Sequence, residues 1–216
     1  FSGSIAGFDL NSGTVSLYDF SSGRQGARVG TATISNSNSY TISATVTSTD
    51  GVVLACLDSG SYTEPATDAV IAIMQSQSIC AVKTFATASY YSVNINPWTH
   101  YGSAYFNYLL SLGGTSKSSA VSANTKIKEV FNFDPQSLTH ASLSTSSDLY
   151  SDSGKAALLQ LAVSEQTLGY AEDAGLATHS IGYSSLDFHA TAHRDITSDG
   201  KLDGQGRTYS GAPIVN

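Results

Sequence analysis

The chain reads as an α+β protein: an antiparallel β-sandwich over residues 1–96, a helical bundle over 97–207 and an extended tail over 208–216. Three observations carry this reading. Apolar and polar residues alternate in several segments of the first 96 positions, the period-2 signature of half-buried strands. At NINPW the texture changes to helical spacing. The last ten residues, RTYSGAPIVN, have no helical pattern of their own.

The strand half comes first. FSGSIAGFDL, GTVSLYDF, VGTATIS and SYTISATVT alternate, and NSG, SSGRQG, NSNS and TDG between them have the composition of turns. VVLACL and AVIAIM are unbroken apolar runs, as expected of strands buried on both faces. Pro97 then forbids further strand, and Thr99 can cap a helix beginning near His100. In that helix Ala104, Tyr105, Tyr108, Leu109 and Leu112 share a face. SSAVSANTKIKEVFNF predicts a second helix with Val121, Thr125 and Val130 or Phe131 inward. GKAALLQLAVSEQTLGYAEDAG is rich in strong helix formers, and a last helix spans about 184–196.

Composition narrows the function. Of 216 residues, only 12% are charged while 41% are hydrophobic, and 36 serines and 21 threonines supply the polar surface. That is about half the usual charged share, and a hydroxyl-rich face suits an extracellular prokaryotic protein. The net charge of −7, with scattered basic residues, argues against a nucleic-acid partner. No apolar run approaches the roughly 18 residues of a membrane span. No leader is visible at Phe1, so an exported chain would already have lost it. Cys56 and Cys80, both at strand ends, would pair in an oxidising compartment. In a reducing cell they would remain two buried thiols.

A longer succession of motifs runs through the chain. GSIAGFDLNSGTVSLYDFSSGRQGARVGTATISNSNSYTISA leads to DSGSYTEPATD (58–68), VNINPWTHYGSAYF (93–106) and DITSDGKLDGQG (195–206). It resembles secreted and cell-surface bacterial proteins that open with a transthyretin-like, or carboxypeptidase-regulatory-like, β-sandwich followed by a helical region. The resemblance implies an Ig-like fold for the strand half and a structural role outside the cell. It implies no family-wide enzymatic activity. The serine-rich turns depart from the pattern, as does His100, where an aliphatic residue is common.

HATAHRDITSDGKLDGQG (189–206) holds the densest chemistry. Asp195, Thr197, Asp199, Lys201 through its carbonyl, and Asp203 fall at calcium-loop positions around Gly200, but Gly206 stands where the bidentate Glu belongs. The alternative is a helix C-terminus with glycine in the left-handed conformation. His189 and His193 have zinc spacing, with His179 or Asp187 as further ligands. Ala190 replaces the Glu that a metalloprotease needs. No serine elbow or carboxylate pair suggests an enzyme.

Tyr91, Trp98, Tyr101 and Tyr105 crowd the β-to-helix junction, either as a carbohydrate-stacking platform or as core. The expected function is a non-enzymatic cell-surface or fimbria-like filament subunit. Its partners are copies of itself or other surface components, and the alternative is an adhesin module that binds sugars through those rings. In a filament, the tail would add a strand to a neighbour's sheet, anchored by Ile214 and Val215.

Overall fold

The computed structural model describes residues 1–21, 28–46, 48, 50–86, 90–139 and 150–204. Among these, seven strands precede four helices. The strands are β1 (Ser2–Ser4), β2 (Asp9–Asp19), β3 (Arg28–Ser35), β4 (Ser39–Thr41), β5 (Asp50–Thr63), β6 (Val70–Ile73) and β7 (Ile79–Ala86). The helices are α1 (Pro97–Ser111), α2 (Ser116–Phe131), α3 (Asp152–Asp173) and α4 (Ser185–Asp199). The protein is thus mixed α and β, with antiparallel sheets. Strand order in the larger sheet is β3-β2-β5-β6, with β7 also pairing β5, and β1 pairs β4 in a second sheet. No helix of the described residues is long and apolar enough to cross a membrane.

VVLACL lies in β5 and is buried on both faces, as its pattern predicts. Val53, Ala55 and Leu57 join Ile5, Leu17, Tyr40 and Ile42 on one face. Val52, Leu54 and Cys56 meet Val82, Phe106, Ala120 and Ala123 on the other. Each Val, Leu, Ile or Phe side chain among them contributes about 1.5–3 kcal/mol when fully buried. The hydrophobic interior therefore crosses the boundary drawn at residue 96, because α1 and α2 pack directly on the sheet. AVIAIM differs: Ile71 and Ile73 point inward while Val70 and Met74 are exposed. It forms the short strand β6 at the end of the main strand order, buried on one face only.

NSG (11–13) is not a turn but part of β2, where the register to β5 shifts between Leu10 and Ser12 and again between Thr14 and Val15. Gly60, at φ +140°, lets the two backbones close there; a Cβ would sit 2.1 Å from Ser12 O. The cap of α1 is Asn96, not Thr99. Asn96 Oδ1 accepts from Thr99 N and Thr99 Oγ1 accepts from Asn96 N, both at 2.9 Å, with Pro97 in the first turn. The buried face of α2 is also not the expected one. Ser119, Ala120, Ala123 and Ile127 face inward, whereas Val121 and Val130 are exposed. Small residues carry that contact because the helix sits close to the sheet, and small residues leave little hydropathic signal. Leu112, just past the end of α1, is likewise exposed. The tail 208–216, with Ile214 and Val215, lies outside the described residues.

Candidate functional site

Cys56 of β5 and Cys80 of β7 stand directly opposite each other and form a disulfide, with Cα atoms 4.1 Å apart. So short a separation marks a non-hydrogen-bonded pair, in which the Cys80 N–H points away from β5. His100, one turn into α1, receives it: Cys80 N donates to His100 Nδ1 at 3.1 Å. Burial and the nearby His193 and His189 hold the His100 pKa well below its ordinary value. The neutral ring therefore carries its proton on Nε2.

His193 of α4 lies flat on His100, with ring centroids 4.1 Å apart and planes 16° from parallel. Burial, with the Arg194 charge, pushes its pKa down to about 4. Both rings open onto a cavity of about 320 Å³ where the sheet meets α1 and α4. Tyr18, Asp58, the disulfide, Ser103, Asn107 and Arg194 complete most of its wall. The Tyr18 hydroxyl and Ser78 Oγ both donate to the Asp58 carboxylate, each at 3.3 Å.

The other histidine of the pair has a different role. Gln160 Nε2 donates to Ser185 Oγ at 2.9 Å, so its Oε1 faces His189 Nε2, 2.7 Å away. The His189 ring then donates from Nε2, and its Nδ1 accepts from the Tyr101 hydroxyl at 2.6 Å. Burial lowers its pKa to about 3. The series continues to Glu64, which is wholly buried. Its carboxylate accepts from Ser185 Oγ at 2.8 Å, Ser185 N at 2.7 Å, Ser164 Oγ at 2.6 Å and the Tyr62 hydroxyl. These groups tie the turn after β5 to α3 and to the positive N-terminus of α4.

The zinc arrangement is not formed. His189 spends both ring nitrogens on Tyr101 and Gln160, and the His193 ring lies on His100. His179 bonds Thr67 and the Ser164 carbonyl, while Asp187 caps α4 through Ser184. Among the described residues no three His, Cys, Asp or Glu side chains gather where a metal ion could be held.

The calcium ligands do not converge either. Asp195, Thr197 and Asp199 belong to the last turns of α4. Asp195 is fully buried and accepts from Asp203 N at 2.9 Å and Gly204 N at 3.0 Å. Thr197 Oγ1 donates to the His193 carbonyl, and Asp199 accepts from Lys201 N. Gly200, at φ +82°, ends the helix by donating to the Ile196 carbonyl. This is the helix-end geometry, built around a buried aspartate.

Of the aromatic residues at the junction, Trp98 and Tyr101 are interior, and Tyr91 and Tyr105 are half-buried. Trp98 is 4% exposed and Tyr101 2%, among Phe131, Phe133 and His189. Tyr91 stacks on Phe1, and Tyr105 packs beside Tyr108. A flat face pressed on protein cannot stack on a sugar, so Trp98 is not a carbohydrate platform. The sequence did single out His100 by its departure from an aliphatic residue. It gave no sign of Glu64, Asn107 or the part played by Arg194.

Fold and site define a mixed α/β protein with a disulfide-pinned strand pair and a small polar cavity beside it. Compared with protein-family models, curated proteins and solved structures, the chain matches none.

Proposed function

We propose that the chain is a non-enzymatic structural domain of an extracellular, cell-surface protein, a subunit of a surface or fimbria-like assembly. The observation that carries this reading is the Cys56–Cys80 disulfide, since such bonds persist in oxidising compartments. The hydroxyl-rich composition supports it. So does the use of Glu64, His179, Asp187 and His189, which are spent on joining elements, Asp187 by accepting from Gln77. The strand half is read as an Ig-like, transthyretin-like sandwich, supported by two antiparallel sheets that share one apolar core.

The partners are further copies of the chain or other surface components. In a filament, residues 208–216 of one copy would extend the sheet of the next at β3, the eight-residue strand that ends the main sheet. Negative-stain microscopy of native material, with and without residues 208–216, tests the assembly. Filaments lost on deletion from a folded chain support it, and a full-length chain that stays monomeric at high concentration removes it. Native protein whose cysteines label fully without reductant would overturn the extracellular assignment.

A further inference from the structure

The cavity beside the disulfide is independent of how the chain assembles. Three of its side chains keep polar groups with no protein partner among the described residues. His100 has committed Nδ1 to Cys80 N, so its Nε2–H needs an acceptor. Neither ring nitrogen of His193, nor the Asn107 amide, has a hydrogen-bond partner among the described residues. Arg194 adds a charge that cannot be removed by deprotonation. The one carboxylate in the wall, Asp58, is turned to Tyr18 and Ser78.

An anion is met by several such donors at once, and the contact to a charged group is the stronger kind. At about 320 Å³, the cavity is at the small end of ligand pockets, which run from about 300 to 1,000 Å³. That volume suits a single small metabolite.

We propose that this cavity binds a small organic anion, a carboxylate or a phosphate ester, whose oxygens are met by His100 Nε2–H, His193, Arg194 and Asn107. The Leu54 and Ala190 side chains and the disulfide supply an apolar wall for the rest of the molecule. His189, with both nitrogens engaged elsewhere, takes no part.

Long-range proton–nitrogen NMR of the imidazoles in the full chain tests this. Succinate and inorganic phosphate are titrated separately at neutral pH to millimolar levels, with acetamide as the neutral control. The expected result is a saturable shift of His100 and His193, an unmoved His189 and no response to acetamide. The stronger of the two anions identifies the headgroup. Arg194→Gln should weaken that anion about tenfold or more, the effect of losing one charge-assisted contact. No saturable shift with either anion, an equal response to acetamide, or a common drift of all three histidines would overturn the assignment. So would Arg194→Gln binding as tightly as the parent. The wild-type titration stands even if that variant does not fold.

Discussion

Acid should unfold this protein through its histidines, and His193→Gln should remove a defined part of that sensitivity. His189 and His193 have pKa values near 3 and 4 in the folded chain, against about 6.5 when unfolded. His100 is lowered as well. Each ring is neutral when folded, so between those values the unfolded state binds the extra proton. Stability is therefore fully present above about pH 6.5, falls as pH drops toward the folded values, and levels off below them. From pH 7 to 4.5 the linkage amounts to about 2.5 kcal/mol for His189, and somewhat less for the half-buried His193. Two such terms are comparable with the whole stability of many domains, about 5–15 kcal/mol.

The Arg194 charge beside His193 adds to the effect by opposing its protonation, and the Asp58 carboxylate is committed to Tyr18 and Ser78. Urea unfolding followed by circular dichroism at pH 7, 6, 5 and 4.5 measures the dependence. The His193→Gln curve should be flatter than the wild-type curve by roughly 2 kcal/mol over that range. Parallel curves, with the same difference between the proteins at every pH, would refute the linkage.

Reducing the Cys56–Cys80 bond, whose partners are 24 positions apart, should cost roughly 3 kcal/mol and lower Tm in calorimetry. An unchanged Tm after complete reduction would contradict this. Glu64→Ala would strand the Tyr62, Ser164 and Ser185 donors and should cost at least about 3 kcal/mol, whereas a near-neutral result would mean the junction relaxes around it. Gly200→Ala should cost about 1–2 kcal/mol from its left-handed backbone, more if Tyr108 cannot move aside from the added methyl. Calcium and chelator should leave melting unchanged in the wild type and in Asp199→Ala, and a chelator-sensitive transition would restore the calcium loop.

What was legible in the sequence was whatever burial writes as periodicity. VVLACL announced a strand covered on both faces, Ser184 a helix start, and the paired cysteines a bond that register makes straightforward. The face of α2 was illegible because Ala120 and Ala123 do the packing while Val121 and Val130 meet water. The site was harder still. His189 and His193, one helical turn apart, look like partners on paper, yet each faces something from far along the chain: Gln160 and Tyr101 for one, His100 for the other. Glu64 looked like an ordinary turn residue, because its partners come from α3 and α4, about 100 residues and more downstream. Long-range polar pairing leaves no local periodic trace.

The outer side of β7 bears on how copies of this chain would be joined in the proposed assembly. His100 occupies the Cys80 N–H, and Asn124 and Gln136 both donate to the Val82 carbonyl. Helices α1 and α2 and the turn at 135–137 thus cover a sheet margin that would otherwise recruit a foreign strand. β6 has only four residues, too short a seam for a lasting join. Among the described residues, β3 is the other, longer strand that ends the main sheet. Two copies meeting β3 to β3 would close on a twofold axis and stop as a pair. Unlimited growth therefore requires a second, different element to fill that margin, so a chain with β3 as its socket either carries its own plug or ends as a dimer.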